Sequence, residues 1–178
     1  TFSLAYTSVR PHCIPNVIKL WTDRSRTKDL EWVVAVDEGD LASKETAERC
    51  AATSTVPVKV VVNTGSKDCN AGWNCACAAT TGKVIIAVSD DFLCPLNWDD
   101  ELLKLEPKGW PDGDHAVHVE DGYVHTIMVL PIITRARYEK FGYLYYPKYR
   151  SMFNDTELTD IAYRDGVVIE AHHLTFEH

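Results

Sequence analysis

No stretch of this chain approaches the ~18 consecutive apolar residues needed to cross a bilayer, so no membrane span is expected. No leader is visible either, because Thr1–Arg10 lacks a basic segment followed by an apolar one. Basic charge is scarce: 18 Lys and Arg face 26 Asp and Glu, for a formal net charge of −8. A duplex nucleic-acid binder needs a basic footprint to displace counterions, so that partner is not expected. A single nucleotide remains open, since a metal ion and backbone N–H groups can hold one. The paired CxxC spacing of a zinc site is missing from Cys69, Cys75 and Cys77. The six cysteines are even in number, but four fall in expected helices or strands, and a chain of this size needs no covalent staples. Reduced thiols and a cytoplasmic location are the expectation. Internal repeats, low-complexity tracts and linkers are also missing. The chain begins at Thr1 and stops at His178, which leads us to expect a C-terminal truncation.

What is present is enough for one domain. The 178 residues are 46% hydrophobic and 25% charged, the balance of a globular chain with a real core. Phe2–Thr7, Trp32–Val36, Val58–Val62 and Val84–Val88 read as strands. Helices beginning at Asn16, Leu41–Ala52 and Asn70–Thr80 separate them, with Gly82 read as the C′ residue of the third. Strand alternating with helix is the pattern of a parallel α/β sheet. Ligands of such sheets bind at the carboxyl ends of the strands. Three strands end in polar or acidic residues, at Thr7-Ser8, Asp37-Glu38 and Asp90-Asp91, and these should share one rim.

The second half reads differently. Asp121-Gly122 between Ala116–Val119 and Tyr123–His125 is a type I′ hairpin signal. Ile127–Leu130 and Val167–Ala171 read as further strands, Thr134–Phe141 and Asp155–Tyr163 as helices. Glu106–Asp114 reads as a mobile surface loop.

The ordered rim motifs resemble the inverting GT-A glycosyltransferases of the family 2 type, over nearly the whole chain. Thr7-Ser8-Val9-Arg10 matches that family's first nucleotide-contacting loop, and Asp37-Glu38-Gly39-Asp40 its "DDGS" loop. Asn70–Asn74 followed by Gly82-Lys83-Val84-Ile85 is similar to its "ARN…GeyI" segment. Ser89-Asp90-Asp91 occupies the DxD position, and Asn154-Asp155-Thr156-Glu157-Leu158 the "ED-x-EL" motif. The resemblance implies a mostly parallel sheet flanked by helices, with a small antiparallel acceptor-side portion. It divides one catalytic domain, 1–178, into a nucleotide-binding half (1–95) and an acceptor half (96–178). Donor contacts fall to Thr7, Ser8, Arg10, Asp37, Glu38, Asn70, Asn74 and Asp90, and metal ligation to Asp91. Spacing from Gly166 matches His178 to a metal-binding histidine of related transferases, with His172 and His173 as rivals. Asp155 falls at the catalytic base.

The chemistry suits those residues. A nucleotide diphosphate leaves poorly until a divalent metal, here Mn or Mg, neutralises its charge. Hard cations take carboxylate oxygens, and an added imidazole favours Mn. The implied partners are a nucleotide sugar, expected to be a UDP-sugar, and a glycan or other hydroxyl acceptor. Trp98, Trp110 and Tyr143–Tyr149 are candidates to stack on sugar, whereas Trp73 reads as core. A nucleotidyltransferase would carry a Gly-rich loop after its first strand, but Thr7–Pro11 has no glycine. A non-catalytic binding module is the other alternative, opposed by the presence of Asp91 and Asp155.

Overall fold

The computed structural model describes all residues 1–178. Its strands are β1 (Phe2–Thr7), β2 (Leu30–Asp37), β3 (Val58–Asn63), β4 (Val84–Val88), β5 (Ala116–Glu120), β6 (Ile132–Thr134) and β7 (Val168–Thr175). They form one sheet in the order β3-β2-β1-β4-β6-β5-β7. β1 to β4 are mutually parallel. β6 runs antiparallel to both β4 and β5, and β7 returns parallel to β5. The expected fold class, α/β with a small antiparallel portion, is what the chain adopts.

Period-2 alternation divides the strands between two cores. Phe2, Leu4 and Tyr6 face one core with Trp32, Val34 and Val36, while Ala5, Val33 and Ala35 face the other. Helices α1 (Ile14–Arg24) and α2 (Leu41–Thr53) lie on the first side. In α1, Pro15 opens the helix, and Ile14, Val17, Ile18 and Trp21 form the buried i, i+3, i+4, i+7 stripe. Helices α3 (Cys69–Ala78), α5 (Arg135–Phe141) and α6 (Asn154–Asp165) cover the second side. No helix is long and apolar enough to cross a membrane. All six cysteines are free.

Four expectations are corrected. No hairpin forms at Asp121-Gly122. Instead the Asp121 carboxylate accepts the N–H groups of Tyr123 and Val124, at 2.8 and 2.7 Å, and closes an Asx turn. Ile127–Leu130 is buried coil rather than strand, and its Met128 N–H donates to Thr159 Oγ1. Pairing with β4 begins only after Pro131, whose carbonyl accepts from Ala87 N–H. A short apolar run does not announce by itself whether it is strand or packed loop. Gly82 is not a left-handed cap, since α3 closes at Ala79 and Gly82 has no positive φ. A Cβ at Gly82 would stand 2.8 Å from the Thr1 carbonyl, so close approach is what requires glycine there.

The fourth correction concerns two tryptophans. Trp98 opens a short helix, α4 (Trp98–Leu103), and is fully buried against Phe2 and Trp21, with ring centroids 5.2 and 5.5 Å away. Trp110 turns the Glu106–Asp114 loop inward, packs on the larger core and donates its indole N–H to the Leu102 carbonyl. Neither ring is free to stack on sugar.

Candidate donor-binding cleft

The carboxyl ends of β1, β2 and β4 are adjacent because the sheet order is β2-β1-β4. Their terminal residues therefore converge. Thr7, Ser8, Val9, Arg10, Asp37, Ser89, Asp90 and Asp91 line one open cleft with Lys67–Cys69 and Trp73, around about 830 Å³ of empty space. Gly72 lets α3 close against this rim. A Cβ there would come within 2.9 Å of Thr7 Cβ, so a side chain would push the helix off the strand end.

Asp90 and Asp91 are neighbours with different surroundings. The Asp90 side chain is 14% exposed, and three residues from β1 and the loop after it hold it. The Tyr6 hydroxyl donates to Oδ1, the Ser8 hydroxyl donates to Oδ2 at 3.0 Å, and Arg10 Nη1 stands 3.5 Å from Oδ2. Burial first, and then the Asp90 carboxylate, push the Tyr6 phenol well above its ordinary pKa, so it remains a donor. The Asp91 side chain is 59% exposed. Burial would raise its pKa, but hydrogen bonds from Ser89 and its own backbone, with the His178 imidazole, hold the carboxyl below the usual range.

His178 Nε2 lies 3.4 Å from Asp91 Oδ2. Its ring stacks on Phe92 with centroids 4.6 Å apart, and its N–H donates to the Asp121 carbonyl. Leu93 and Glu177 exchange backbone hydrogen bonds, which hold the last residues against the loop after β4. Of the three candidate histidines, His178 is the one that reaches Asp91. His172 is tied to Glu120 and Glu170, and His173 is exposed.

The other anticipated residues separate. Asp37 lines the cleft and accepts from Asn63 Nδ2 at 2.8 Å. Glu38 stands on the exposed turn beside it, and Asp40 caps α2 by accepting Ser43 N–H. Asn70 and Asn74 lie behind the cleft wall. Asn70 Oδ1 accepts from Asn154 Nδ2 at 2.7 Å, which docks the start of α6 on the start of α3. The Asn74 amide is committed to the Leu144–Tyr145 backbone through three hydrogen bonds. These contacts account for both asparagines as braces between α3 and the second half.

Asp155 is the second residue of α6, not its cap. Phe153 is the N-cap, in the left-handed region at φ 66°, and makes no side-chain capping bond. The Asp155 carboxylate lies near Tyr145, whose phenol is raised by burial and then by that charge. Tyr145 packs edge-on against Trp73 of the cleft at 5.8 Å. Trp73, read from sequence as core, thus connects the cleft to the region of Asp155. Nothing in the composition of its helix could have shown this. Tyr143, Tyr146 and Tyr149 form a half-buried ladder of rings at 5.8 and 5.9 Å on the same side.

Comparison with known proteins identifies the family and the fold. The profile of glycosyl transferase family 2 matches residues 7–163. No curated protein matches the chain by sequence. Among solved structures, the mannosyltransferase PcManGT from Pyrobaculum calidifontis, in complex with GDP-Man and Mn2+, superposes with a TM-score of 0.77 at 14% identity, over 99% of this chain and 56% of that one. TarS 1–349 from S. aureus, in complex with UDP-GlcNAc, gives 0.73 at 14% identity, over 99% and 57%. Glucosyl-3-phosphoglycerate synthase from Mycobacterium tuberculosis, with Mg2+ and UDP, gives 0.67 at 13% identity, over 98% and 69%. The chain thus spans somewhat more than half the length of the first two.

Proposed function

The chain belongs to glycosyl transferase family 2, and we propose from that premise that it moves a sugar from a UDP-sugar to an acceptor hydroxyl with inversion, assisted by a divalent metal. The observation that carries this reading is the convergence of three strand-end acids on one cleft, with Asp91 and His178 only 3.4 Å apart. Asp37 is placed to accept from the nucleoside. Asp90, fixed by Tyr6, Ser8 and Arg10, forms the floor beneath the ribose and diphosphate. The donor set of Asp91 and His178, a carboxylate oxygen and an imidazole nitrogen facing one another, fits a cation of the Mn or Mg type. A cation held there supplies Lewis-acid neutralisation of the diphosphate. Support also comes from the solved structures it resembles, which hold GDP-Man with Mn2+, UDP with Mg2+, or UDP-GlcNAc.

Asp155 is the general base in this reading. It takes the proton of the acceptor hydroxyl as that oxygen forms its bond to the anomeric carbon. The bond to the diphosphate oxygen breaks on the opposite face, and the nucleoside diphosphate leaves with the electron pair. Calorimetry of UDP with and without Mn2+, on the wild-type chain and on Asp91→Ala, tests the proposal. Mn2+ should tighten UDP binding at least about tenfold in the wild type, and the gain should vanish in the variant. Equal affinity in all four titrations would remove Asp91 from the metal site.

A further inference from the structure

A second group of metal-competent side chains stands away from the cleft, on the edge of the sheet formed by β5 and β7. The register pairs His118 with Glu170. His172, two residues on, shares their face by strand alternation. The ladder breaks immediately afterwards, where Glu120 pairs with Thr175 across a bulge. One ligand atom from each of His118, Glu170 and His172 lies within 4.8 Å of the other two. We propose that these three residues form a second metal site, for a borderline transition-metal ion of the zinc class, with Glu120 orienting His172.

The hydrogen bonding of His172 carries the argument. Its Nδ1 is 2.7 Å from Glu120 Oε1 and its Nε2 is 2.6 Å from Glu170 Oε2. A neutral imidazole has one N–H and can donate to only one carboxylate. With Nδ1–H donated to Glu120, the Nε2 lone pair meets the Glu170 carboxylate, a contact that either a second ring proton or a bound metal ion must bridge. A carboxylate that fixes one ring nitrogen so that the other can bind metal is the usual second shell of a ligating histidine. His118 Nδ1 approaches the same point, 3.8 Å from Glu170 Oε2. Ligand atoms at about 2.0–2.2 Å around a tetrahedral zinc stand roughly 3.3–3.5 Å apart, and the observed separations fall on either side of that.

The surroundings fit as well. His118 is 1% exposed and stands at the buried end of the cluster. Its Nε2 is buried without a hydrogen-bond partner, which leaves Nδ1 as the nitrogen through which the ring meets polar groups. Tyr163 OH stands 2.7 Å from that Nδ1 and donates to Glu170 Oε1 at 2.8 Å, so Nδ1 carries the ring proton toward the phenol and gives it up to solvent when an ion binds. Glu170 and His172 are half-exposed, so an ion can enter from solvent. Two imidazoles and one carboxylate suit zinc or cobalt better than magnesium. The bound ion would join β7 to β5 just before the segment that places His178 beside Asp91.

The test is a Co2+ titration of the full chain carrying Asp91→Ala, which removes the cleft carboxylate. One equivalent of Co2+ should bind with the visible absorption of a low-coordinate ion, and Zn2+ should displace it. In that background His172→Gln should weaken Co2+ binding at least about tenfold, and Glu120→Gln by about 10–100-fold. His172 is exposed and neither side chain belongs to a hydrophobic core, so both variants report on binding rather than folding. Failure of the Asp91→Ala chain to take up Co2+ would overturn the site. Uptake that neither variant weakens would do the same, and the cluster would then be an imidazolium shared by two carboxylates.

Discussion

Replacing Asp155 with Asn separates a catalytic role from a structural one, and the structure sets both magnitudes. Asp155 is the second residue of α6, the capping position belongs to Phe153, and the side chain is only half-buried. Its own hydrogen bond goes to the adjacent Thr156 N–H at 2.8 Å, which an Asn carbonyl can also accept. What Asn removes is a negative charge near the helix N-terminus, worth about 0.3–1 kcal/mol. For a chain of this length that lowers Tm by roughly 1–4 °C. Loss of a general base costs about 10²–10⁴ in rate, or roughly 3–5.5 kcal/mol in the barrier. The assay is Mn2+-dependent hydrolysis of a UDP-sugar, in which water takes the acceptor's place and needs the same base, run beside calorimetry of UDP. Turnover should fall at least a hundredfold, while UDP affinity stays within about twofold and Tm within a few degrees. Hydrolysis at near the wild-type rate would show that Asp155 is not the base and would turn attention to Glu157.

Two further predictions follow from the neighbourhood of each carboxylate. Asp37→Ala should weaken UDP binding by about 10–100-fold, the value of a hydrogen bond to a charged group, while Glu38→Ala on the exposed turn should change it by less than about twofold; equal losses in calorimetry would place both in the nucleoside contact. Asp99 is fully buried and accepts from Ser25 Oγ, Arg26 N–H, Thr27 N–H and Thr27 Oγ1 at 2.6–2.7 Å. Burial alone would raise its pKa, but these bonds, the Thr27 hydroxyl's first, lower it. Because the folded pKa lies below the unfolded value of about 3.9, its stabilisation is present above that pH and is lost as pH falls through the folded value. Thermal midpoints from pH 6 to pH 2.5 should therefore fall more steeply for the wild type than for Asp99→Asn, which should start lower and respond less; parallel curves would show that Asp99 is not the titrating group.

How far the sequence reached depended on the range of the interaction. β1 to β4 were legible because Phe2–Thr7, Trp32–Val36, Val58–Val62 and Val84–Val88 are local apolar runs with polar ends. Their parallel order then placed Thr7, Asp37, Asp90 and Asp91 on one rim before any side chain was placed. β6 was misplaced because Ile127–Leu130 and Ile132–Thr134 are equally apolar, and pairing with β4 chose between them. The occupations of Asn70 and Asn74 were illegible for the same reason, since their partners lie 84 and 70–71 residues away. Trp98 and Trp110 read as candidates to stack on sugar, although each has a backbone carbonyl that accepts its indole N–H. The pairing of His118 with Glu170 and His172 could not be read locally either, because it depends on β7 choosing β5 as its neighbour.

The division between Asp90 and Asp91 shows why adjacency in sequence does not mean equivalence in chemistry. Tyr6, Ser8 and Arg10 already satisfy Asp90, and its side chain is 14% exposed. To coordinate a cation directly it would have to leave hydrogen bonds that cost about 1–3 kcal/mol each when broken in a buried site. Asp91 faces solvent, and its partners are Ser89 on Oδ1 and the half-exposed imidazole of His178 near Oδ2. Under the proposed metal role, a cation arriving there would meet a solvent-facing carboxylate oxygen and an imidazole nitrogen 3.4 Å from it. The buried acid is therefore suited to holding the floor of the cleft in place while the exposed acid exchanges ligands. On this reasoning Tyr6→Phe would act on Asp90 and the cleft floor, leaving the Asp91 ligand set itself unaltered.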